Sequence, residues 1–316
     1  MGRYVIRRLL QLIPVFFGTT FIIFAGVFML PGDPIRALFG ERPPPQSLLD
    51  ALTEKYNLND PLLVQYGKYI WGIFSRGDFG VNFRQRPVLD IVAEAAPVTI
   101  KLGLTAFAFE LVIGLIAGVM AGLRRGGFFD NVVLICTTLI ISIPVFVLAF
   151  VAQLTIAGEQ SWLGGYEMFP IAFGQDQAWP RAYILPAIIL ASLSLAQLSR
   201  LTRTSLVENL RADYVRTAIA KGLSRRTVVG KHTLRNSLIP VVTLLGIDIG
   251  TLMGGAIVTE GIFNIPGMGR AIFRGIGAQE NTVVVGISVI LVIVFIVANL
   301  IVDLLYGVLD PRIRYD

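Results

Sequence analysis

The 316-residue sequence is poor in charge, with only 15% Asp, Glu, Lys and Arg. A soluble domain carries about a quarter, so this chain cannot face water on all sides. It has one cysteine, Cys136, which excludes an intramolecular disulfide; set in an apolar run, the thiol reads as a packing residue. Its one histidine, His232, has no neighbouring His/Cys spacing that would hold a metal. No G-x-x-x-x-G-K-[ST] phosphate loop occurs, which argues against nucleotide hydrolysis by the chain itself. Neither G-x-S-x-G nor H-E-x-x-H is present, so an enzyme reading has nothing to stand on.

What the chain has in abundance is apolar surface: 54% of its residues are hydrophobic and the mean hydropathy is +0.71. These residues gather into runs of about twenty, the length that crosses a bilayer as a helix. The expectation is an all-α polytopic membrane protein with six spans, near residues 9–30, 98–121, 132–157, 183–198, 238–259 and 283–306. The first run is too long for a signal peptide and ends in LPGDP rather than a small-residue cleavage site. Residues 31–97 differ in character, with many prolines, charges of both signs and amphipathic pieces too short to span. They read as an extracytoplasmic insert of short helices and turns. In the first piece Leu48, Leu49, Leu52 and Tyr56 share a stripe.

Basic residues orient this layout. Segments 1–8, 124–125, 200–240 and the 311–316 tail together carry sixteen Lys and Arg, whereas the two short loops on the other side carry Arg181, Arg270 and Arg274. An excess of Lys and Arg in short loops marks the cytoplasmic side. The cell membrane is thus the expected location, with both termini cytoplasmic. Residues 98–310 form the core around a cytoplasmic element at 200–237.

Within the spans, small and ionisable residues stand out. Gly114, Gly118 and Gly122 repeat every fourth position in the second span, and Gly246, Gly250 and Gly254 do so in the fifth. Each set leaves one helix face bare, which lets another helix approach closely, in this chain or in a partner. Glu110 and Asp248 are carboxylates inside spans, where charge is costly; they line a path or bond a neighbouring helix. Ser192 belongs to the most polar span, which suits a helix facing other helices or an aqueous path. Pro144 near the middle of the third span predicts a kink.

The basic island at 200–240 carries nine Lys and Arg against Glu208 and Asp213. Its pattern predicts two short helices. Asp213 can cap the first, with Tyr214, Thr217, Ala218 and Lys221 on one face; Gly222 ends it, and Ser224 can cap the second from Arg225 and Arg226 onward. A nucleic-acid reader would explain the charge but not the location between two spans. Lipid headgroups account for Arg200, Arg203 and Arg235 beside the membrane, but not for two capped helices. A rigid projecting hairpin suits mechanical input from a cytoplasmic partner.

Residues 213–240, DYVRTAIAKGLSRRTVVGKHTLRNSLIP, resemble the EAA-loop region of binding-protein-dependent ABC importer permeases, in the dipeptide, oligopeptide and nickel version. Gly222 matches the loop glycine and Ala218 its second alanine. Arg216, Thr217 and Arg235 stand where the general pattern has Glu, the first Ala and a proline. FMLPGDP at 28–34, LNDPLLVQYGKYIWGIFSRGDFGVNF at 58–83, PVTIKLG at 97–103, GGAIVTEGIFNIPGMGR at 254–270 and NLIVDLLYGVLDPRIRY at 299–315 are similar to the first permease subunit of such systems. The resemblance implies a type I ABC importer permease fold and import of di- or oligopeptides by alternating access, with nickel or another small solute as the second choice. The implied partners are a second permease subunit, two cytoplasmic ATPase subunits or domains that bind ATP and magnesium, and an extracytoplasmic solute-binding protein. No cofactor is implied for this chain. The coupling residues would be Asp213, Tyr214, Arg216, Thr217, Ala218, Lys221, Gly222, Ser224, Arg225 and Arg226. A secondary transporter would need a coupling-ion site and no ATPase, and a channel would need no hairpin.

Overall fold

A computed structural model describes residues 2–29, 59–157, 169 and 180–309. The Leu48–Tyr56 stripe, the loop at 158–168 and 170–179, and the 311–316 tail therefore lie outside the described residues. Among those described, every regular element is a helix. Five helices are long and apolar enough to cross a membrane, and a sixth span follows if one sharply bent pair counts once. The chain divides into two compact units: 1–99 with 266–316, and 100–265.

The first unit contains α1 (Gly2–Phe28), α2 (Leu62–Arg76), α10 (Met268–Gly277) and α11 (Asn281–Leu309). Pro14 lies within α1 without ending it. The amphipathic piece PLLVQYGKYIWGIF forms α2, which stops at Gly77 in the left-handed region, φ 64°. The inner face of α2 packs Ile70 and Ile73 with Phe24 of α1 and Val285 and Val289 of α11. The Tyr66 hydroxyl donates to the Phe17 carbonyl at 3.0 Å and lies 2.8 Å from the Thr20 hydroxyl. Such bonds add about 1 kcal/mol each. The Met268 amide donates to the buried Thr99 hydroxyl at 2.9 Å, satisfying one of the free N–H groups at the start of α10.

The second span belongs to a longer helix, α3 (Val88–Leu123). It starts ten residues before the expected span, and Pro97 lies inside it. Within α3 the turn Glu110–Gly114 widens to π geometry. The third span is two helices, α4 (Phe128–Ser142) and α5 (Val145–Thr155), bent by 106°. This is a break, not the kink predicted. Ile143 and Pro144 are both extended, as expected for a proline without an N–H and the residue before it, and Pro144 then starts the next helix. Cys136 faces outward on α4 and does not fill a core position; its place in an apolar run reflects outward apolar surface.

The second unit is built around α6 (Arg181–Asn209), the most buried of the long helices. Its low hydropathy for a span follows from its position, since protein rather than lipid surrounds it. Ser199 donates to the Gly114 carbonyl at 3.2 Å, and Ser192 turns back to its own Ile189 carbonyl at 2.7 Å. After α6 come α7 (Asp213–Ala220), α8 (Arg225–Thr227, continued through the wide turn Val228–Thr233 and Leu234–Ser237) and α9 (Ile239–Ile262).

Candidate functional site

The hairpin of α7 and α8 is closed by local chemistry. Gly222 has φ 78°; its N–H donates to the Ile219 carbonyl at 2.9 Å, and the Leu223 N–H to the Ala218 carbonyl at 3.3 Å. That bond pair is a Schellman stop, which leaves both terminal carbonyls satisfied and favours glycine at the positive φ. Ser224 starts α8, its hydroxyl accepting from the Thr227 amide at 3.4 Å and lying 2.9 Å from the Thr227 hydroxyl. The first cap differs from expectation. α7 begins at Asp213 itself, and Ala212 occupies the cap position with no side-chain bond. Asp213 still suits the positive end of the helix, and Arg216 lies 3.6 Å from it.

Between the two helices Val215 and Ala218 pack on Val228, and all three are buried. Ala218 therefore points into the hairpin and is no part of an outward face. Its i+3 relation to Val215 turns it toward α8. The outward residues are Tyr214, Arg216, Thr217 and Lys221, joined by Ile219 at 61% exposure and Leu223 at 40%. Sequence reasoning missed these last two, although an apolar residue among charges on a short helix is a recognisable contact signal. Arg225 and Arg226 are exposed at the start of α8. The Tyr214 hydroxyl donates to Asn209 Oδ1 at 2.7 Å, tying α7 to the end of α6. Ser205 of α6 donates to the Ser237 carbonyl at 3.0 Å, while the Ser237 hydroxyl donates to the Thr233 carbonyl at 2.8 Å and lies 3.4 Å from the Ser205 carbonyl.

The two glycine stripes lie in different surroundings. A Cβ at Gly114 would meet Leu198 at 2.8 Å, one at Gly118 would meet Thr202 at 2.6 Å and the Ser199 carbonyl at 2.7 Å, and one at Gly122 would meet Leu206 at 3.0 Å. The face of α3 is thus taken by α6 of the same chain. In α9, Gly250 is buried, Gly246 half-buried and Gly254 exposed with nothing within 4 Å of an added Cβ. The close contact there belongs to Gly255, whose Cβ would meet Leu190 at 3.1 Å.

Glu110 and Asp248 are buried, and their carboxyl groups face one another. Neither Glu110 oxygen, nor Asp248 Oδ2, has a well-formed hydrogen bond among the described residues. Ser192 is buried on α6 and bonded to its own helix. Among the described residues no cluster of three or more His, Cys, Asp or Glu could hold a metal ion.

Two family models cover nearly the whole length. Residues 114–315 match the binding-protein-dependent transport system inner membrane component, and residues 1–103 match its N-terminal part. The chain belongs to this family. It is a multi-pass membrane protein and a permease component of an ABC transport system, not the ATPase. This permease component is similar to the dipeptide transport system permease protein DppB of Alkalihalophilus pseudofirmus, at 38% identity over 335 residues and all of both chains. It is likewise similar to the protein of that name from Escherichia coli, at 37% identity, over 100% of this chain and 99% of the relative.

Proposed function

We propose that this permease moves di- or oligopeptides inward across the cytoplasmic membrane, receiving them from an extracytoplasmic solute-binding protein. It pairs with a second permease subunit and is driven by two ATPase subunits or domains that bind ATP and magnesium. Full-length similarity to permeases named for dipeptide transport supports the substrate class. The observation that carries the coupling mechanism is the welded hairpin. The Schellman stop, the Ser224 cap and the Val215–Ala218–Val228 core hold α7 and α8 as one body, while the Ser205–Ser237 bond anchors it to α6. Force applied to the hairpin then reaches the spans instead of being lost in a flexible loop. Closure of the ATPase pair moves the hairpin and opens the path outward; hydrolysis releases it and the path opens inward. Gly246 and Gly250 remain packing positions on α9, and Glu110 and Asp248 lie beside the path.

Docking at the hairpin is tested by site-directed cross-linking. With Ile219→Cys in a Cys136→Ser background, the exposed position should form a cross-link to the ATPase subunit in membranes, and saturating ATP should change its yield. A position-219 thiol that never reaches the ATPase, in a complex that still imports peptide, would place the motor elsewhere.

A further inference from the structure

An ion pair 73 residues apart in sequence joins the start of α4 to α6, near the base of the hairpin. Arg203 of α6 holds Asp130 of α4 in a two-pronged contact: Nε bonds Oδ1, and Nη2 bonds Oδ2 at 2.8 Å. The Asp130 side chain is 2% exposed and that of Arg203 19%. The Gly126 amide also donates to Asp130 Oδ2 at 2.7 Å, and Gly126 has φ 76°, so the turn itself is folded onto the same carboxylate. Such a forked pair fixes angle as well as distance, which a single-point contact does not.

Its placement gives it a task. Above it, the glycine face of α3 is locked onto α6 down to Gly122, whose Cβ position lies 3.3 Å from the Arg203 carbonyl. Below it, Ser205 and Ser237 fix α6 to the second helix of the hairpin. The pair adds a fixed polar contact where α4 already packs beside α6, in a span that breaks after α4 at Pro144. We propose that Asp130 and Arg203 form a latch that makes the start of α4 move with α6 and the hairpin as one body during transport. They are positioning residues, touching neither substrate nor nucleotide. The inference rests on the hairpin being the ATPase attachment.

The test uses the complete importer in proteoliposomes. Asp130→Asn removes the charge and leaves Arg203 without its carboxylate. Asp130→Leu with Arg203→Met removes both charges together, a replacement that buried pairs often tolerate without loss of fold. Both variants are expected to retain bound ATPase and ATP hydrolysis, while peptide imported per ATP falls by about ten-fold, a loss of about 1.4 kcal/mol in coupling. Normal import per ATP in the double variant overturns the latch. A second measurement needs no destabilising change: spin labels at Phe128, which is 78% exposed, and at exposed Arg200 report the distance between α4 and α6. The latch requires one distance with and without ATP; a distance that changes between the two states overturns it. The two readings fail in different ways. A wrong hairpin assignment appears as ATPase that never touches position 219, whereas a wrong latch appears as intact docking with unchanged coupling.

Discussion

Gly222→Val is expected to leave the importer assembled and hydrolysing ATP while peptide uptake falls by about ten-fold or more. The left-handed conformation costs an L-residue about 1–2 kcal/mol, and β-branching worsens it. The penalty is purely one of backbone, because a Cβ at Gly222 would meet nothing within 4 Å. Relief comes only by moving φ away from 78°, which breaks the Gly222 and Leu223 amide bonds that end α7. The hairpin then flexes at its elbow, and ATPase closure no longer moves the spans in step. Gly222→Ala should fall between parent and Val. The measurement is peptide imported per ATP hydrolysed.

The second large effect is in the membrane. Gly118→Leu is expected to prevent stable assembly, and Gly118→Ala to lower the thermal stability of the purified protein by about 1–3 kcal/mol, the cost of overpacking. A Cβ there meets Thr202 and the Ser199 carbonyl, and a helix carbonyl cannot step aside as a side-chain tip can. Gly254→Ala should change stability by no more than about 0.5 kcal/mol, because its Cβ enters open space. Thermal unfolding of the three variants in one detergent checks the contrast. Equal effects at 118 and 254 would mean that the α3–α6 seam is not where the chain is tightest.

That contrast shows how far the sequence could be read. Both stripes have the same four-residue spacing, and spacing alone cannot say that the α3 stripe is filled by α6 while in α9 Gly254 meets open space and the close contact falls at Gly255. The spans, the hairpin, Gly222 and the Ser224 cap were legible because each depends on local chemistry: apolar run length, a positive φ, a hydroxyl before a helix. The start of α3 at Val88 was not legible, because a proline such as Pro97 does not reveal whether its helix continues through it. Pro144 was recognised as a disturbance, but its size was not, since the 106° bend depends on what α4 and α5 pack against. Ala218 carried an outward role by stripe arithmetic, yet the burial of Val215 and Val228 turns it inward. Asp130 and Arg203 were invisible as a pair, because nothing local links two residues 73 positions apart.

ATP-driven peptide import is tested most directly by uptake of a labelled dipeptide into proteoliposomes containing this chain, its partner permease and the ATPase subunits. Import should require both ATP and the solute-binding protein, and stop when the ATPase is stripped away. Import driven by an ion gradient without the ATPase would contradict this requirement.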